Sequence, residues 1–251
     1  MATTAYSDTV ERLLADTKAG IRSKRSTKET RSAAVSKLRQ HVELELRETN
    51  VEQFSVFLDA LVKRFFREGR DAADGTERLG WVAVIDGLID ISCKVDSEKK
   101  MLIHFHSFLV TMLQQAAVGA LPSVEEMLRS TAKALGHIAQ AGGTHMAHLV
   151  EKEIRRALEW VQDTKAERRF AAVLVLNEMA QQVGGRGGGW DGRDLEAFAR
   201  LHAQDTRACF LLLDSLLTDW SPPPLPPAPC PHNPRRRRSS TCTSIRSSAT
   251  S

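Results

Sequence analysis

The sequence predicts an all-α protein: an α-solenoid of about four stacked helix pairs with a disordered C-terminal tail. Three observations lead there. Apolar residues step by three and four over most of residues 7–183, and period-two alternation is nowhere sustained. Helix-start signatures recur at a nearly even spacing. After residue 183 the composition changes abruptly.

A helix over about 7–19, within a segment 1–25, is expected to cap the open end of the array. The solenoid proper is expected over 26–183. Its starts are read from capping boxes, in which a Ser or Thr cap and a Glu three residues on satisfy free backbone amides reciprocally. Ser26/Glu29, Ser123/Glu126 and Thr164/Glu167 fit that pattern, and Asp74 with Glu77 supplies a fourth start. Leu38, Leu135 and Leu176 each lie 12 residues beyond their cap, and Ile85 lies 11 beyond Asp74. The caps are 48, 49 and 41 residues apart. HEAT and armadillo units recur at roughly 40–47 residues, so a HEAT/armadillo-type array is expected.

Second helices of the units are expected at about 50–68, 98–118 and 144–161. Val51, Phe54, Leu58, Leu61 and Phe65 share one face of the first; Ala147, Val150, Ile154, Ala157 and Val161 share one face of the third. Lys63, Arg64, Glu151, Lys152 and Arg155 fall on the opposite, solvated faces. A helix pair cannot bury its apolar stripe alone, so neighbours must stack.

Residues 184–190 open with Gly184-Gly185-Arg186-Gly187-Gly188-Gly189 and read as a flexible linker. A further helical segment is expected over 191–220, with Phe210-Leu211-Leu212-Leu213 as its apolar part. Residues 221–251 are rich in Pro, Arg and Ser and cannot build a core. Pro222–Pro227 suits a polyproline helix, and Arg235–Arg238 before Ser239 suits an import signal or a basophilic kinase site. A frame change or misassigned exon boundary would produce the same break. Proteolysis is expected first near Gly184–Gly189 and after Trp220.

Hydrophobic residues are 42% of the chain and charged residues 26%, so a core is expected; aromatics are 6%, with Tyr6 the single tyrosine. The net charge of +4 equals the Arg235–Arg238 run alone, which makes nucleic acid an unlikely partner for the near-neutral body. Cys93, Cys209, Cys230 and Cys242 are scattered and read as reduced thiols. Without a visible signal peptide or apolar span, the expected location is cytoplasmic, with the nucleus as the alternative.

No catalytic, cofactor-binding or metal-binding residue is expected. The glycine run lacks the Gly-Lys-Ser/Thr of a phosphate loop. His145/His148 and His104/His106 lack a third ligand and read as surface or groove histidines. Trp81 and Trp160 read as fillers of helix interfaces. The basic sets Lys152/Arg155/Arg156 and Lys165/Arg168/Arg169 read as solvated, with an acidic partner as the minority alternative.

Within the last two units the residues become recognisable. Arg156-Ala157-Leu158-Glu159-Trp160, followed by Arg168-Arg169-Phe170-Ala171-Ala172-Val173-Leu174-Val175-Leu176-Asn177-Glu178-Met179-Ala180, resembles the N-terminal HEAT region of the target of rapamycin (TOR) kinases. Glu29-Thr30-Arg31, Glu45-Leu46-Arg47-Glu48, Glu77-Arg78-Leu79-Gly80 and Ala132-Lys133-Ala134-Leu135-Gly136 agree in order and spacing. The resemblance covers about residues 10–183. It implies a scaffold piece of a Ser/Thr protein kinase of nutrient and growth signalling, with a raptor-type regulatory subunit as partner. The kinase domain of that family lies elsewhere, so no catalytic residue carries over. The alternative expectation is a stand-alone HEAT-repeat adaptor for transport or assembly.

Overall fold

Helix ends in this chain are set by short polar side chains that take up amides the helix itself leaves unpaired. The Thr27 hydroxyl accepts from the Thr30 amide at 3.3 Å, and α2 runs Lys28–Glu48. Thr49 closes α2 by donating its hydroxyl to the Glu45 carbonyl at 2.7 Å. Asn50, in extended backbone, opens α3 (Val51–Asp71) by accepting from the Gln53 amide at 2.8 Å.

The computed structural model describes residues 2–22, 27–95, 99–118 and 124–183. Among them are α1 (Ala2–Arg22), α2, α3, α4 (Gly75–Val95), α5 (Lys100–Ala116), α6 (Val124–Gly142), α7 (Ala147–Val161) and α8 (Ala166–Val183). A 3-10 turn, Gly143–Met146, links α6 to α7, and Gly143 enters it at φ 54°, a conformation that favours glycine. No strand occurs among the described residues. The linker, further helix and tail expected over 184–251 lie outside the described residues.

The even-numbered helices α2, α4, α6 and α8 each pack on the next and form a continuous row. Helix α1 lies against α2, α3 and α4, while α3 packs on α4, α5 on α4 and α6, and α7 on α8. Each odd helix packs more extensively on the row helix that follows it than on the one before. The four pairs are therefore α1/α2, α3/α4, α5/α6 and α7/α8, one helix out of phase with a grouping that begins at residue 26. Helix α1 is a full partner of α2, longer than the 7–19 stretch legible in the sequence.

Aromatic contacts lie both within the α3/α4 pair and between α3 and α5. Phe65 of α3 meets Trp81 of α4 with ring centroids 5.3 Å apart, and both are fully buried. Phe66 stacks on Phe108 of α5 at 5.0 Å and meets Phe105 edge-on at 6.1 Å. Such rings bury the largest areas in a core and dominate its energetics. Where α1 crosses α4, Gly80 leaves room for Ile21: a Cβ there would lie 2.5 Å from Ile21 Cγ2.

The starts need three corrections. Thr27 caps α2, and Ser26 lies outside the described residues. Asp74 does precede α4, but Glu77 is buried and accepts from Arg22 Nε of α1 at 2.7 Å instead of closing a box. Helix α8 begins two residues after Thr164, and the side chain that serves its start is Asp163, which accepts from the Lys165 amide at 2.9 Å and from Arg168 Nη1 at 2.7 Å. That amide bond, then the Arg168 guanidinium, holds the Asp163 carboxyl below its ordinary pKa. Ser123 lies outside the described residues; α6 starts directly after it.

Candidate interaction surface

The aliphatic positions that marked the repeat are mostly core. Leu38, Ile85 and Leu135 are buried. Leu176 is only half-buried, while Leu174 and Val175 beside it carry the α8 core, because no row helix follows α8 among the described residues. Val51, expected on the buried stripe of α3, is exposed at the first turn. Trp81 is buried as expected; Trp160 is half-buried, with the Arg168 guanidinium 5.9 Å from its ring centroid.

The outward faces are charged and largely self-paired. Lys63 meets Asp59 at 2.7 Å, Arg129 meets Glu125 at 2.9 Å and Arg155 meets Glu151 at 2.6 Å, each within one helical turn. Such exposed pairs contribute little to stability. The basic sets of the sequence are divided up in the same way. Arg156 holds the buried Glu153, Arg168 holds Asp163, and Arg169 donates to the carbonyls of Asp163 and Thr164 at 2.9 Å each. Lys152 and Lys165 stay exposed.

A second group of ion pairs joins different helices. Arg64 of α3 reaches Glu11 of α1 at 2.6 Å, and Lys18 of α1 reaches Glu68 of α3 at 2.5 Å. Arg31 of α2, itself buried, donates to Glu126 of α6 at 3.0 Å. These contacts cross between units and could not be read from spacing along one chain.

Two histidines belong to this group. His106 of α5, read from the sequence as a surface or groove residue, is buried, and its Nε2 lies 3.1 Å from Glu153 Oε1 of α7. The two atoms are close but are not aligned as a hydrogen bond. The other Glu153 oxygen accepts from Arg156 Nη1 at 2.6 Å. His137 of α6 was not singled out by sequence at all. Its ring sits between two carboxylates one turn apart on α4, with Nδ1 2.9 Å from Asp86 Oδ1 and Nε2 3.0 Å from Asp90 Oδ1. His104, His145 and His148 are exposed, as expected.

Sites for chemistry are sparse. Among the described residues no group of three His, Cys, Asp or Glu side chains could hold a metal ion. A hollow of about 380 Å³ between α1 and α2 has Arg12, Asp16, Lys37 and His41 around an apolar floor of Leu13 and Leu38. The Cys93 Sγ lies 3.6 Å from the Ala141 carbonyl; Cys209, Cys230 and Cys242 lie outside the described residues. No described helix is long and apolar enough to cross a membrane.

Helix pairs stacked in a row, tied by ion pairs between units, define a helical-repeat protein of the HEAT/armadillo type. Comparison with known proteins narrows the class. The chain is 35% identical over 149 residues to the Ser/Thr protein kinase TOR of Oryza sativa subsp. japonica, covering 58% of this chain and 6% of that protein. It is 32% identical over 151 residues to the Ser/Thr protein kinase tor1 of Schizosaccharomyces pombe, covering 59% and 6%. It is 31% identical over 177 residues to the Ser/Thr protein kinase TOR of Arabidopsis thaliana, covering 70% and 6%. No family model matches the chain. The chain is thus a relative of the TOR Ser/Thr protein kinases, and it spans about 6% of the length of the relatives it matches. A protein kinase carries its phosphate-contacting Lys on a β-strand, and no strand occurs among the described residues.

Proposed function

We propose that this chain is a scaffold segment of a TOR-like Ser/Thr protein kinase, acting in nutrient and growth signalling by binding other proteins. The observation that carries the reading is the 31–35% identity to TOR kinases over at least 149 residues of a chain folded as helical repeats. Stacked helix pairs expose long faces that suit protein contact. The partner proposed is a raptor-type regulatory subunit, and the location cytoplasmic.

The test is to raise an antibody against residues 28–180 and recover the native protein from its source. The expected result is a species far larger than 27.8 kDa that co-purifies with a raptor-type subunit. A species near the calculated mass that recovers without such a subunit overturns the proposal.

A further inference from the structure

The carboxylates of Asp86 and Asp90 can only accept hydrogen bonds when ionised. Both ring nitrogens of His137 lie within 3.0 Å of them. Each nitrogen must therefore donate, which requires the doubly protonated, cationic ring. The cluster extends to the next helix of the row: Arg39 Nη2 of α2 lies 3.5 Å from the second oxygen of Asp90, and Arg39 Nε donates to Glu43 at 3.0 Å. Three carboxylates thus face one guanidinium and one imidazole. On α6 itself Lys133 is exposed one turn before the ring. From α8, Glu178 lies against the neighbouring Gly136. The two ring nitrogens point to different carboxylates, so the arrangement is not that of a shared metal.

We propose that Arg39, Asp86, Asp90 and His137 form a proton-operated clamp across α2, α4 and α6, closed while His137 carries both ring protons and loosened when it loses one. Loss of a proton turns one nitrogen lone pair toward a carboxylate and leaves three negative groups facing a single positive one. The hydrogen bond to Asp86 comes first among the forces favouring the charged ring; partial burial opposes it, and the Asp86 and Asp90 charges reinforce it. The folded-state pKa therefore lies above the ordinary 6.5. The clamp's contribution is complete below that value and is lost as the pH rises through the raised one. A tenfold difference in the ring's acid constant between the closed and open states corresponds to about a tenfold difference in the closed-to-open ratio between its two charge states.

The test uses the full chain with labelled histidines. His137→Gln identifies the His137 resonance, and its titration midpoint in the parent protein is expected above 6.5. Hydrogen exchange in segments 84–92 and 133–141, corrected for intrinsic rate, should accelerate above that midpoint in the parent but not in His137→Gln. Asp86→Asn keeps the histidine and should lower its midpoint, a readout that stands even if His137→Gln folds poorly. A midpoint at or below 6.5, or the same pH response with and without His137, overturns the clamp.

Discussion

At the scale of single residues, the stakes are set by what is buried beside a charge. Glu153 is 1% exposed and held by Arg156 and His106. Breaking a buried pair from one side strands the other charge, which costs more than the pair itself contributes. Arg156→Met should therefore destabilise by about 3 kcal/mol, read from the urea midpoint. Glu153→Gln should cost less, about 1–2 kcal/mol, because Arg156 is near enough to the surface to regain water. Equal costs for the two variants would mean that stranding the Glu153 carboxylate carries no extra penalty.

At the scale of the element, the caps separate the sequence reading from the structure. Thr27→Ala and Asn50→Ala should each cost about 1 kcal/mol in thermal unfolding, whereas Ser26→Ala should be near neutral. A larger loss at Ser26 than at Thr27 would restore the register read from capping boxes. Gly80→Ala tests the α1–α4 crossing. Alanine gains about 1 kcal/mol of helix propensity over glycine, yet its Cβ would collide with Ile21. We expect net destabilisation of about 1–3 kcal/mol from the overpacking. A more stable variant would show that the crossing is loose.

At the scale of the molecule, stability in a stacked array comes from each unit's own packing and from its neighbours. Leu135 is fully buried in α6, which has row neighbours on both sides, so Leu135→Ala should cost about 2–5 kcal/mol and lower the unfolding of the whole array. Leu176 occupies the matching position of α8 but is half-buried. Leu176→Ala should cost about half as much and show first as faster hydrogen exchange within α8. Similar losses at both positions, spread over all helices, would argue against a row that ends at α8 among the described residues.

The helices themselves were legible in the sequence because local physics makes them. A 3–4 step of apolar residues, a short polar side chain before each start and the lack of alternation are properties of neighbours along the chain. The resemblance to TOR kinases was legible for the same reason, in Arg156–Trp160 and Arg168–Ala180. Tertiary packing decided the rest. Glu77 turns from its own helix to Arg22, because a side chain with two feasible partners is assigned by whichever the fold brings near. The phase of the helix pairs follows from which helices pack most closely, as where Phe65 and Trp81 are buried together. His106 and His137 gained their carboxylates from helices 47 to 51 residues away, a separation at which only the folded chain specifies distance.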